Sequence, residues 1–257
     1  MDIVTMGFLA SLAAGLFTGL GALPVLFGTT IPRRLNDALL GFAAGVMLAA
    51  SFFSLIIPGV DIAESQYGYS AIAAGIAVVG VALGAAFVAG LNHWIPHEHF
   101  RAGHQGPEAK GLAKIWLFIF AITIHNLPEG LAVGVGFGSG DIAKGVTLAT
   151  GIGLQNAPEG LAVALALLSY NYSRFYAVAV ATLTGLVEPV AGLAGAYAVS
   201  VSQALLPYAL TFAAGAMLYV ISHEIIPETH SHGFANEATL GLTIGLVVMM
   251  FLDVAFA

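Results

Sequence analysis

His125, Asn126 and Glu129 in the stretch HNLPEG, with Gln155, Asn156 and Glu159 in QNAPEG, are the residues of this chain best suited to chemistry. His125 and Glu129 stand one helical turn apart and Asn126 and Glu129 three residues apart, so on a helix they share a face. The second copy repeats the arrangement thirty positions on. Imidazole nitrogen, amide oxygen and carboxylate are ligands for a borderline divalent metal such as zinc. Thiolates are not on offer, because the chain has no cysteine. That removes disulfides, thiolate zinc sites and redox chemistry and leaves the compartment open. A mixed set without thiolates holds an ion loosely enough for it to leave, which favours transport over storage.

Both motifs must be carried by helices that cross a bilayer, since each lies inside a long apolar run. The 257 residues are 59% hydrophobic and 8% charged, with a mean hydropathy of +0.94. A soluble domain carries about a quarter charged residues, so this chain cannot cover a water-facing surface. Its net charge of −7 comes with no basic stripe of the kind nucleic acid needs. The N-terminus MDIVTMGF has Asp2 and no basic residue before the first apolar run, so that run is read as a retained helix and not a cleavable signal.

At roughly 20 residues per span, the reading is an all-α membrane protein with a single transmembrane domain over 1–257. Its eight helices fall at about 3–27, 35–60, 69–91, 112–137, 142–169, 175–201, 204–227 and 239–256. The 32 glycines suit close helix packing. One extended hydrophilic stretch, 92–111, carries His93, His97, His99 and His104 with Glu98 and Glu108. Loose His clusters hold zinc weakly, and a plain solvated linker fits the same stretch equally well.

Arg33, Arg34, Arg101, Lys110, Lys114 and Arg174 fall in or beside odd-numbered loops, and only Lys144 beside an even-numbered one. Positive residues stay in the cytoplasm, which places both termini outside and the His-bearing loop inside. The two motifs occupy consecutive antiparallel helices with identical PEGLAV cores. That is an inverted repeat, which in transporters puts the substrate site near the midplane. Chance likeness between Gly/Ala/Leu-rich helices is the competing explanation, and the shared Pro and Glu argue against it.

A carboxylate at the centre of a membrane helix costs about 2.5–3.5 kcal/mol. Glu129, Glu159 and Glu188, the last in LTGLVEPVAG of the sixth helix, all lie there. A protonated structural glutamate explains one such residue more readily than three. Pro128 and Pro158 deprive the carbonyls of Ile124 and Leu154 of their helical partners. Those carbonyls either serve a hydrated ion or mark a kink.

HNLPEG, QNAPEG and HEIIPETH (223–230) together resemble the ZIP family of zinc- and iron-type divalent metal transporters, bacterial type, and the likeness covers essentially the whole chain. The resemblance implies a ZIP-like inverted-repeat bundle with a binuclear site on the fourth, fifth and sixth helices. Here that site would comprise His125, Asn126, Glu129, Gln155, Asn156, Glu159 and Glu188, with Met47 added from the second helix. It also implies an elevator-like motion of the first, fourth, fifth and sixth helices against the other four. The cargo would be Zn²⁺ entering the cytoplasm through the cell membrane, with Cd²⁺ as a surrogate and Fe²⁺, Mn²⁺ and Co²⁺ as further cargoes. A homodimer is one assembly left open. Some relatives carry Asp where this chain has Asn156, so the site holds one negative charge fewer and a second cation is less well compensated.

His223, Glu224 and Glu228 begin like the zinc-protease pattern HExxH, but Pro227 stands where the second histidine belongs. An intramembrane metal-dependent hydrolase is therefore the weaker alternative, and a cytoplasmic exit path, extended by His230 and His232, is the preferred role. Asp61 and Asp253, at the outer ends of the second and eighth helices, are candidate entrance residues.

Overall fold

The computed structural model describes residues 1–28, 31–94, 97–99, 103–105 and 114–256. Among these described residues, eight helices are long and apolar enough to cross a membrane. They are α1 (Ile3–Phe27), α2 (Arg33–Tyr67), α3 (Ser70–Trp94), α4 (Lys114–Gly136), α5 (Ile142–Ser169), α6 (Arg174–Val201), α7 (Gln203–Thr229) and α8 (Ala235–Phe256). Side-chain caps start three of them. Asp2 accepts from the Thr5 amide at 2.8 Å, Asp141 from Lys144 at 3.2 Å and Ser173 from Tyr176 at 3.3 Å, each meeting an amide left over in a first turn. The bonds to Thr5 also hold the Asp2 carboxyl below its usual range.

Two elements differ from the sequence reading. The polar stretch DIAESQYG, expected as a loop, is the last part of α2, which stops only at Gly68 with φ 73°. Hydropathy marks where hydrocarbon ends, whereas backbone bonding carries a helix on into the polar layer until a left-handed glycine stops it. The stretch after α3 contains a short antiparallel ladder, β1 (His97–His99) with β2 (Gly103–Gln105). The side chains of those strands, and residues Arg101, Glu108 and Lys110, lie outside the described residues.

The bundle is built twice from one plan. FAAGVML at 42–48 in α2 recurs as FAAGAML at 212–218 in α7. Both helices then pass through a π-helical stretch, Ala50–Ile56 in α2 and Ile221–Ile225 in α7, and both meet a proline just beyond, Pro58 and, one position earlier in the repeat register, Pro227. A proline ring clashes with the carbonyl four residues back and offers it no N–H. The widened π turn accommodates that slip. Their partners repeat too. The carbonyl of Phe212 lies against Gly84 of α3, and that of Phe42 against Gly245 of α8. A Cβ on either glycine would sit 1.9 or 2.1 Å from that oxygen, so only glycine permits the contact. Between the halves, Gly15 of α1 and Gly185 of α6 lie against each other's carbonyl oxygens, as expected where a pseudo-twofold axis passes. The axis thus exchanges α1 with α6, α2 with α7, α3 with α8 and α4 with α5.

Pro128 and Pro158 interrupt neither α4 nor α5. Backbone irregularities lie instead in α1, whose last turn Leu23–Phe27 is 3-10, in α2, in α7 and in α6, whose helical pattern breaks at Leu186 and Val187 and resumes at Glu188. Pro189 explains the break, since its missing N–H leaves the Gly185 carbonyl without a helical partner.

Candidate metal centre

Six of the seven predicted helix 4–6 residues carry buried polar atoms without a hydrogen-bond partner or are tied to one that does. Glu129 is fully enclosed, Glu159 is 3% exposed, and none of their four carboxylate oxygens has a hydrogen-bond partner. Both polar atoms of the Asn126 amide and the Gln155 oxygen are likewise unpaired. Glu188 accepts from the Asn156 amide at 2.7 Å through one oxygen, while its other oxygen has no partner. Asn156 donates also to the Ala14 carbonyl at 2.9 Å, which fixes its side chain between α1 and α6. Each buried polar group without a partner costs about 1–3 kcal/mol. A cluster of them, all acceptors or amides, suits a multivalent cation and not a packed core.

Local geometry explains the assembly. Glu188 sits at the restarted end of α6, where the helix dipole favours an anion. Gly130 lies against the Glu188 backbone and Gly160 against that of Thr18, so α4 packs on α6 and α5 on α1 without side chains between them. Under the pseudo-twofold, His125 corresponds to Gln155, Asn126 to Asn156, Glu129 to Glu159 and Glu188 to Thr18. The three glutamates lie within electrostatic reach of one another. Among the described residues, no three His, Asp or Glu side chains converge into a metal cage by themselves, so the amides are needed to complete one.

His125, the seventh, turns toward α7, where its Nε2 pairs with Glu224. Glu224 also accepts from Asn92 of α3 at 2.9 Å. A cavity of 280 Å³ opens beside this pair and reaches both His125 and Glu159, with Arg33, Glu224 and Glu228 along its wall. At its mouth Arg33 lies 3.3 Å from both Asp37 and Glu228, tying the start of α2 to the end of α7. His223, the third predicted exit residue, stands beside the Tyr219 ring and does not line the cavity.

A second cavity, of 310 Å³, opens at the opposite end, where Asp61 lines it near Ser54 and Lys144. Asp253 is 6% exposed and accepts from Ser54 at 2.5 Å, outside that lining. Met47 is fully buried in the main apolar cluster with Leu148 and Ile152, as is its counterpart Met217. Sequence reasoning missed Asn92, Ser54 and Asn36, the last a buried residue with an unpaired oxygen on the first cavity's wall. The FAAGxML repeat was the signal that leads to Ser54, which it pairs with Glu224.

A sequence profile described as ZIP zinc transporter matches residues 95–253. The chain belongs to the ZIP family. It is 48% identical over 93% of its length to zinc transporter ZIPB of Bordetella bronchiseptica, covering 77% of that protein. It is 47% identical over 97% of its length to zinc transporter GufA of Myxococcus xanthus, covering 98% of that protein. Human zinc transporter ZIP11 is 37% identical over 92% of this chain and 93% of its own length. A ZIP protein is a multi-pass membrane transporter of divalent metal, not an enzyme, which sets the hydrolase alternative aside.

Proposed function

We propose that this ZIP protein carries Zn²⁺ into the cytoplasm across the cell membrane, through the buried cluster on α4, α5 and α6. The observation that carries the reading is the set of buried carboxylate and amide groups without hydrogen-bond partners, which a cavity reaches through one member, Glu159. Glu129 and Glu159 bridge the ions, with His125 and Gln155 completing one position and Asn126, Asn156 and Glu188 the other. Met47 is a further donor from α2. The cavity reaching this cluster opens at the end bearing Arg33, and the positive-inside rule makes that end cytoplasmic. Glu224 and Glu228 on its wall then receive the departing ion, and Asp61 and Asp253 serve the outer approach. Cd²⁺ matches the same donor set and serves as a surrogate cargo.

Purified protein in liposomes, given a panel of metals, tests the assignment. Zinc flux is expected in the unmodified protein and absent in Glu159→Ala. Equal flux in both would overturn it.

A further inference from the structure

The two cavities are the same cavity at different depths. Asn36, Leu40, Phe118 and Glu224 on the inner wall have the pseudo-twofold counterparts Leu206, Leu210, Leu148 and Ser54, and all four line the outer one. The inner cavity continues past Ile122 to His125 and Glu159. Their counterparts, Ile152, Gln155 and Glu129, are fully buried and do not line the outer cavity.

The hydrogen bonds at the two inner ends of these walls repeat as well. Asn92 of α3 bonds Glu224 of α7, and Asp253 of α8 bonds Ser54 of α2, through equivalent positions. Glu224 has in addition a partner from the metal motif, His125. The equivalent partner for Ser54 is Gln155, whose Nε2 here makes a long 3.4 Å bond to Asn156 and does not meet Ser54.

We propose that Ser54 is the positioning residue of the outward-open state. When the outer cavity deepens to the metal ligands, the Ser54 oxygen accepts from the Gln155 side-chain amide, as Glu224 pairs with His125 here, while the Ser54 O–H stays on Asp253. The exchange of an acid–imidazole pair for a hydroxyl–amide pair makes the outer contact the weaker of the two, so the unloaded protein rests open to the cytoplasm. This rests on the carrier reading given above, and its test needs no metal.

The chain has no cysteine, so Ile122→Cys and Ile152→Cys make a matched pair of reporters. In metal-free vesicles of known orientation, a membrane-impermeant maleimide should label Ile122→Cys from the cytoplasmic side and Ile152→Cys, more slowly, from the outer side. Adding Ser54→Ala should slow outer labelling of Ile152→Cys by roughly three- to tenfold, the loss of one neutral hydrogen bond. Ser54→Thr, which keeps the hydroxyl, should restore it. Ser51→Ala, which removes a hydroxyl bonded only to the Met47 carbonyl of its own helix, should not slow it. The proposal fails if Ile152→Cys never reacts from outside, if Ser54→Ala leaves its rate unchanged, or if Ser51→Ala slows it equally. Zinc flux measured on the same vesicles separates this from the carrier reading: labelling as expected without flux would count against zinc transport alone.

Discussion

The Asn156 amide stands 2.7 Å from the Glu188 carboxylate and donates to it, so a neutral side chain holds a buried acid in place before any cation arrives. Asn156→Asp would turn that bond into a contact between two carboxylates. We expect tighter zinc binding, slower turnover and a metal-free protein that melts at lower temperature. Calorimetric titration with zinc, paired with uptake rates and melting in chelator, checks all three, and equal affinity and rate would remove the idea.

Glu129 offers the opposite experiment. Among the described residues its two buried oxygens have at most the Gln155 amide to meet them, so Glu129→Gln relieves part of the cost of about 1–3 kcal/mol that each poorly paired buried polar atom carries. The variant should be more heat-resistant than the parent in chelator and should gain nothing from added zinc, since a ligand stabilises only the fold that binds it. Thermal melts with and without zinc decide this, and undiminished stabilisation by zinc would show that Glu129 is not a ligand.

Gly160 lets α5 touch α1, and a Cβ there would stand 1.8 Å from the Thr18 carbonyl oxygen. Gly160→Ala should therefore cost about 1–3 kcal/mol through overpacking and displace Glu159, the next residue. Gly75, whose added Cβ meets nothing within 4 Å, is the control. Gly75→Ala should leave melting and uptake unaffected.

If His125 and the carboxylates are the ligands as proposed, acidification should slow uptake, because such donors bind metal only when deprotonated. The sign is fixed by the donor set: protons and zinc compete for the same atoms, and more protons mean less bound ion. Initial rates measured between about pH 5 and 7.5 should rise toward the alkaline end at fixed free zinc. A flat profile would argue against this ligand set.

Much of this architecture was legible in the residues. The eight apolar runs and the HNLPEG/QNAPEG pair are strong signals because hydrocarbon thickness fixes span length and buried acids are costly. The π-helical stretches were not legible, since one extra residue in a turn leaves hydropathy unchanged. Pro58 and Pro227 hint at them only once the two helices are aligned. The prolines that drew attention, Pro128 and Pro158, sit in uninterrupted helices, while Pro189 marks a real break. The Asn92–Glu224 and Ser54–Asp253 bonds join helices far apart in sequence, and no local pattern announces them.

If the proposed carrier reading holds, a protein whose two mouths are cut from one template needs no built-in valve. The unlike contacts at Glu224 and Ser54 set which mouth the empty protein favours, but on the carrier reading they cannot set the direction of net movement, which follows the zinc gradient and membrane voltage. Vesicles preloaded with zinc and diluted into chelator should empty through the same path that fills them.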